Sequence, residues 1–224
     1  MPTPTPFVFG TPNTDIDLTA VQLVRDYLGL KSGIEDSKIQ LCITAASVEW
    51  VWRTGRGLEG QVPAASPFVA PVAYDEVYDG NGSWRQILRN WPIVSVETLL
   101  INGQPFTQSS GFGSRGWLID QSAKSLVIRT GGRQSSLGRA CGGFSEGVQN
   151  VEVGYHAGFS SVPADIVKAC TQMVAINYKR SEWLDIASHS RGATGVSGST
   201  SYRAWAIPPE VAGVIHNYTR DAWA

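Results

Sequence analysis

The chain is short of charge. Asp, Glu, Lys and Arg make up 17 % of its 224 residues, and the formal net charge is −1. Non-specific DNA binders usually carry a clear basic excess, so tight groove binding is not expected, while DNA passing close by without being held remains open. Histidine is equally scarce. His156, His189 and His216 stand far apart, and none has a histidine or carboxylate three or four residues on to complete a metal-ligand pair. The three cysteines, Cys42, Cys141 and Cys170, are odd in number and fit no zinc or redox spacing. Buried thiols in a reducing cytosol are the expectation. No window reaches the ~20 apolar residues of a membrane helix. The opening MPTPTPFVFGTPNTD has neither a basic stretch nor an apolar run, so it does not read as a leader. A soluble intracellular protein is expected, with no membrane partner, no metal and no cofactor.

Hydrophobic residues make up 42 % of the chain, enough to bury a core, and Gly (24), Pro (12) and Trp (8) are plentiful. Residues 1–14, with Pro2, Pro4 and Pro6, read as an extended arm, because each proline disfavours helix in the residue before it. Such a segment is either a frayed terminus or an arm that orders on a neighbour, with Phe7, Val8 and Phe9 as its adhesive part. A first helix is expected from Asp15 or Asp17, either of which can cap it, to Gly29, with Leu18, Val21, Val24 and Leu28 on its apolar face. A second begins near Glu35 and Asp36 and stops at Gly55. Ile39, Cys42, Ile43, Ala46 and Trp50 hold helical spacing in it. The short link between the two implies antiparallel packing.

The period then changes. Residues 57–71 read as a loop, and 72–78, 84–89, 93–101, 116–120, 125–130 and 148–155 as short strands. Asn81-Gly82 and Asn102-Gly103 are turn signals of the kind hairpins use. Residues 131–147 are Gly/Ser-rich and read as an exposed loop. Residues 187–204 read as a flexible Ser/Gly/Thr-rich segment, and a last helix follows Pro208 and Pro209, with Ile207, Val211, Val214, Ile215 and Tyr218 on one face.

The stretch that joins these regions is 147–180, GVQNVEVGYHAGFSSVPADIVKACTQMVAINYKR. Val151, Val153 and Tyr155 alternate with Glu152 and Gly154, as in a half-buried strand. Pro163 suits the first turn of a helix, and Asp165 complements its dipole. Ile166, Cys170, Met173, Val174 and Asn177 share one face, and Lys179 and Arg180 sit where cations are favoured.

Several patterns mimic catalytic motifs. GFSEG (143–147) matches a nucleophile elbow, and Asp165 or Asp185 and then His189 or His216 follow in hydrolase order. An elbow, however, needs a strand before Ser145 and a helix after it, and here a Gly-rich loop precedes and a strand follows. GFGSRG (111–116) matches a phosphate loop but leads into a strand pattern, GWLID, with no helix to supply the dipole. Asp75, Glu76 and Asp79 fit no calcium loop. Lys179, Arg180, Arg191 and Arg203 give the last third a mild basic bias, read either as ordinary helix-end charge and solubility or as contact with nucleic acid or an acidic partner surface. No catalytic residue is assigned, and the chain does not read as an enzyme. Tyr202, Trp205, Ile207, Tyr218 and Trp223 are more informative. Large aromatics beside a polar segment either pack onto the protein's own core or anchor a partner.

Taken in order, DLTAVQLVRDYLGL (17–30), YDGNGSWRQILRNWPIVSVETLLING (78–103), GWLID (116–120) and NVEVGYHAGFSSVPADIVKACTQMVAINYKR (150–180) resemble the head–tail connector (adaptor) proteins of tailed bacteriophages and related gene-transfer particles. The resemblance rests on a "Y-G" strand end at Tyr155 and Gly158, then Val162-Pro163 with Asp165, a helix closing on Tyr178 and Arg180, and PPEV at 208–211. It covers most of residues 15–220. The arm at 1–14 and the long loop at 131–147 depart from a compact member.

The resemblance implies a non-enzymatic structural subunit, made in the host cytoplasm and carried in the virion at the head–tail interface. Such subunits form a ring, commonly twelve-fold, beneath the portal. The ring extends the DNA channel, touches passing double-stranded DNA transiently and docks a stopper or tail protein. The implied fold is α+β. A small bundle of about four helices (15–56 and 163–186) carries a β-rich insertion (57–162), flanked by the arm and by a C-terminal segment (187–224) that engages the portal. Tyr202, Trp205, Ile207, Tyr218 and Trp223 become the portal-binding candidates, and removing 200–224 is expected to leave a folded subunit. Ile39, Ile43, Trp50, Val153, Tyr155, Ile166, Cys170 and Met173 are the expected structural core. Three other readings stay open. One is a stopper or tail-completion protein, expected to be mainly a β barrel. Another is a carbohydrate-binding β module using Trp84 or Trp117, and the third is a hydrolase using Ser145.

Overall fold

A computed structural model describes residues 12–31, 35–56, 65–111, 113–130, 143–182, 188–193, 196–201 and 207–220. The fold is α+β. Its described residues divide into two compact units. One is formed by those of Met1–Thr54 and Pro163–Tyr218, the other by those of Ala65–Val162 together with Gly55, Arg56, Thr219 and Arg220.

The first unit is helical. Helix α1 spans Val21–Leu28 and ends on Gly29 in the left-handed conformation that glycine adopts without strain. Helix α2 is Asp36–Arg53 and α3 is Ala164–Glu182; α4 is Pro209–Tyr218. Both α1 and α2 pack on α3, as does α4. Val24, Ile39, Ile43, Trp50, Ile166, Cys170 and Val174 are fully or almost fully buried, and Met173 is buried beside them. The periodicity of α2 and α3 explains this, since residues three and four apart share a face.

Helix α1 starts later than the aspartates allow. Residues 14–16 form a turn, and the residue before the helix is Ala20, which has no capping side chain. Asp17 is used elsewhere: its carboxylate accepts from Gln40 Nε2 (2.6 Å) and Thr44 Oγ1 (2.9 Å) on α2, and from the backbone N–H of Asn13 (2.8 Å). Ser47 Oγ accepts the Leu18 N–H at 3.0 Å. The entry segment is pinned to α2 by these bonds, a tertiary use of a carboxylate that local propensity reads as a cap.

The second unit holds two antiparallel sheets. Strands β1 (Val72–Gly80), β3 (Ile93–Ile101), β4 (Gln104–Pro105) and β7 (Gly147–Ala157) form the first in the order β1-β7-β3-β4. Strands β2 (Arg85–Ile87), β5 (Arg115–Ile119) and β6 (Ser125–Thr130) form the second in the order β2-β6-β5. One apolar core fills the unit, with Tyr74, Tyr78, Leu88, Leu99, Trp117, Leu126, Phe144, Val151, Val153 and Tyr155 among its buried members. Asn102 and Gly103 both have positive φ, 53° and 71°, so the β3–β4 connection is a tight hairpin of the Asn-Gly kind. Asn81-Gly82 is different, because β1 and β2 belong to different sheets and the turn there is a crossover.

Two segments differ from the reading as loops. The end of the 131–147 stretch is anchored: Phe144 is fully buried, its N–H bonds to Ser83 O at 2.8 Å, and β7 already begins at Gly147. Residues 188–193 and 196–201 are paired strands rather than an unstructured segment, with β8 (Ser188–Ala193) antiparallel to β9 (Val196–Ser201) in register Ser188↔Ser201 to Ala193↔Val196. Small polar residues carry no apolar alternation, so a ladder made by backbone groups leaves no trace in hydrophobic period. Residues 131–142 and the arm up to residue 11 lie outside the described residues.

Candidate functional site

The 147–180 stretch folds as β7, a turn and α3. Strand β7 lies between β1 and β3, which explains its run of buried residues from Val153 to Tyr155. Its register runs from Val72↔Ala157 to Tyr78↔Val151 on one side and Val96↔Tyr155 to Ile101↔Val151 on the other. Gly158 has φ +139°, and a Cβ there would lie 2.6 Å from the Pro67 carbonyl oxygen. Its N–H donates to Pro92 O at 2.9 Å, and the Phe159 N–H to Pro67 O at 2.8 Å. Only glycine tolerates that backbone and that approach.

On the helical side, Asp165 accepts two contacts from the Tyr218 hydroxyl on α4, at 3.0 and 2.9 Å. The buried Tyr178 donates to the Glu35 carboxylate, with the Lys38 ammonium 4.7 Å from its ring centre. The motif residues Tyr155, Gly158, Asp165 and Tyr178 therefore sit at structural joints.

The best-organised polar cluster was not foreseen as a unit. Tyr78 of β1 and Tyr155 of β7, whose hydroxyls lie 3.3 Å apart, both donate to Glu76 Oε2, Tyr155 at 2.6 Å. The backbone N–H groups of Arg89 and Asn90 donate to the Tyr78 and Tyr155 hydroxyl oxygens, at 3.0 and 3.3 Å, and Asn90 Nδ2 reaches Glu76 Oε1 at 3.2 Å. Burial pushes the Tyr78 and Tyr155 phenols well above the ordinary tyrosine value, and the Glu76 carboxylate adds to this. Burial likewise lifts Tyr74 to about 12 and the Cys170 thiol to about 12. The network holds the 88–92 loop to the sheet. The only sequence signal was period two, Glu76 and Tyr78 on one face of one strand.

A pH dependence follows. A tyrosine with a raised folded-state value contributes stability that is complete below 10 and is lost as pH rises through 10 towards the folded value. Each of Tyr74, Tyr78 and Tyr155 is expected to remove up to about 1.4 kcal/mol per pH unit above pH 10. Urea titrations at pH 8.5 and pH 11 check this; equal midpoints would contradict it.

A second cluster was also missed. The buried Arg56 guanidinium lies 4.2 Å from the Trp91 ring centre and 5.3 Å from that of Phe68, and donates to Trp91 O. Phe159 stacks on Phe68 (5.9 Å), and Lys124 lies over Trp91 (4.1 Å). A cation held on ring faces is stabilised by the ring quadrupoles. These residues are scattered along the chain, which hides the cluster from any local pattern.

Among the described residues Ser145, Asp165 and His216 are not brought together as a triad, and Asp185 lies outside the described residues. Ser145 is an exposed residue of the turn before β7, and its carbonyl accepts from Asn150 Nδ2 at 2.9 Å. His156 pairs with Glu97 at 2.9 Å across β7 and β3, His216 is exposed on α4, and the His189 side chain lies outside the described residues. Arg115 and Gly116 of GFGSRG already belong to β5, where Gly116 approaches the backbone of Ser109 too closely for a Cβ (2.4 Å). Trp117 is a core residue, which removes it from any glycan platform, whereas Trp84 is exposed. Among the described residues no group of three His, Cys, Asp or Glu side chains could hold a metal ion, and no helix is long and apolar enough to cross a membrane.

Of the five portal-binding candidates, Tyr202, Trp205 and Trp223 lie outside the described residues. Ile207 and Tyr218 are half-buried, and Tyr218 is engaged by Asp165. Val211 of α4 is fully buried. Removing 200–224 would therefore also take out α4, which packs on α3, so that deletion bears on the helical core as well as on the C-terminal segment.

No protein-family model matches the chain, and no curated protein matches it. Among solved structures it is similar to a chain of the "Neck of native GTA particle computed with C12 symmetry", with 16 % identity and a TM-score of 0.43 over 93 % of each chain.

Proposed function

We propose that the chain is a structural head–tail adaptor. The observation that carries this reading is the ordered motif run of residues 150–180, whose distinctive positions serve as structural joints. Tyr155 closes a buried network, Gly158 makes a turn no other residue tolerates, and Asp165 and Tyr178 tie α3 to α4 and to Glu35. A motif spent on joining a strand to a helix specifies a scaffold and not a reaction, so the chain is read as no enzyme.

On this reading the helices form a core that carries the β region between α2 and α3 as an insertion. Subunits repeat one heterologous interface until a ring closes, commonly of twelve copies, beneath the portal. The ring extends the DNA channel and docks a stopper or tail protein, and its site of action is the virion. Near-zero net charge suits a channel through which DNA slides without being gripped. The 187–224 segment is the portal-engaging part, with Trp205 and Trp223 as its anchors.

Because α4 belongs to the helical core, the test uses substitutions outside it. Trp205→Ala with Trp223→Ala is expected to lower attachment to portal-containing heads by about thirtyfold, the loss of two interface anchors each worth about 1 kcal/mol or more. Circular dichroism of the variant should match the parent. Undiminished attachment would refute the portal-binding assignment.

A further inference from the structure

We propose that the β-rich unit docks head-to-tail on a second copy of itself, the outer face of the first sheet of one copy against the outer face of the second sheet of the next. That the partner is a second copy rests on the ring reading above.

The charge of this unit is sorted by sheet. Strands β1, β3, β4 and β7 carry Asp75, Glu76, Asp79, Glu97 and Glu152, and neither lysine nor arginine. Strands β2, β5 and β6 carry Arg85, Arg115 and Arg129 and no carboxylate, and the turn between β5 and β6 adds Lys124 and Asp120. A chain of net charge −1 thus holds one acidic sheet and one basic sheet.

The sorting reaches the surface. Both sheets contribute to one core, so the face of each that turns away from that core is open to a partner. Period two selects its residues. On β1, Glu76 and Tyr78 turn inward to their shared hydrogen bond, while Asp75, Val77 and Asp79 are exposed. Register sets Val77 beside Glu152, and Glu152 beside Leu100. Glu152 is exposed, and 67 % of the Glu97 side chain is. On the second sheet Gln86, Leu126 and Ile128 are buried, and Arg85, Ile87, Val127 and Arg129 alternate with them. Arg85 pairs with Asp120 at 2.7 Å and still leaves 42 % of its side chain exposed. Val77 on one face and Ile87 on the other are each 44 % exposed. Each face therefore sets exposed aliphatic surface among charges of one predominant sign, the pattern of an apolar interface centre with a polar rim.

Charge selects which faces meet. First sheet on first sheet, or second on second, would set like charges against each other and cost affinity. First sheet on second sheet sets Asp75 and Glu152 against arginines. The two faces differ, so the contact is heterologous, and a pair of copies keeps one face of each kind for further copies. A closed ring is built from such a contact, whereas a two-fold dimer would need one face to match itself.

The test reverses each face in the full-length chain. Asp75→Lys with Glu97→Lys and Glu152→Lys turns the first sheet's outer face basic, and Arg115→Glu with Arg129→Glu turns the second sheet acidic. Sedimentation velocity over a concentration series at low salt reads self-association. The parent is expected to associate, at least about tenfold more weakly when ionic strength rises from about 0.05 M to about 0.5 M. Each variant alone is expected to associate at least about tenfold more weakly than the parent. Their equimolar mixture should recover the parent's association, because each reversed face then meets its complement. Circular dichroism checks the folds. Asp75→Asn with Glu97→Gln and Glu152→Gln, which removes charge at nearly constant shape, should fall between parent and reversal. A parent that stays monomeric at its highest soluble concentration, association indifferent to the neutral variant and to salt, or a mixture no stronger than its components would each overturn the proposal. Recovery on mixing, with open chains and no attachment to portal-containing heads, would uphold the sheet contact and refute the ring reading. Rings and head attachment that ignore both reversals would do the opposite.

Discussion

Ile166→Asp is expected to unfold the helical unit. Ile166 is fully buried on α3, the helix on which α1, α2 and α4 all pack. The substitution removes a buried aliphatic side chain, at a cost of about 2–5 kcal/mol. It also leaves a carboxylate without a partner in the core, which costs several kcal/mol more or forces its protonation. The sum is comparable with the about 5–15 kcal/mol that separates a folded domain from its unfolded chain. Met173→Asp, one face-repeat further along α3, should behave alike. Far-UV circular dichroism with thermal melting reads the outcome, and Ile166→Val, which deletes one methylene, is the control with a loss of about 0.5–1.5 kcal/mol. A cooperative melt of Ile166→Asp within a few degrees of the parent would show that α3 is not the centre of the helical unit.

Tyr155→Ala is expected to cost about 3–5 kcal/mol, as for truncation of a large buried aromatic. Tyr155 packs against Tyr74 with ring centres 5.6 Å apart and planes tilted by 31°, and lies in the core that both sheets share. Its hydroxyl also bonds Glu76 and receives the Asn90 N–H. Tyr155→Phe separates the two contributions. It keeps the ring and removes the hydroxyl, leaving the Asn90 N–H without that acceptor, for about 1–3 kcal/mol. Urea denaturation of the parent and both variants measures the difference. Equal losses for the two variants would mean that the ring contributes nothing and that the network alone holds β7. No loss in Tyr155→Phe would mean that the network is dispensable.

The comparison of Asp17, Ser145 and Glu76 shows where sequence reading succeeds and where it stops. Ile39, Ile43 and Trp50 on α2, and Ile166, Cys170 and Met173 on α3, were legible because helical period places residues three and four apart on one face. Their burial needs only some neighbour and no particular one. The alternation of Val151, Val153 and Tyr155 was legible for the same reason in period two. Asp17 looked like a cap because capping is a local bond. Its actual partners, Gln40 and Thr44, are more than twenty residues away, and no local pattern encodes that choice.

For the candidate site the division is sharper. The misfit of Ser145 in an elbow was readable from element order, since a loop before it and a strand after it are both properties of local sequence. The Glu76–Tyr78–Tyr155–Asn90 network and the Arg56 aromatic cluster were not readable. Their members come from strands and loops up to 79 and about 100 residues apart, joined only by strand order and loop placement. The pairing of β8 with β9 escaped because backbone hydrogen bonds carry it and backbone groups are the same in every residue. The sorting of charge between the two sheets was hidden too. Which strands share a sheet is set by pairing order, and pairing order is a long-range property. Periodicity and turn chemistry thus named the helices, the strands and most of their buried faces, because those depend on neighbours in the chain. Strand order and the buried polar partners depend on neighbours in space, and the folded chain alone supplies those.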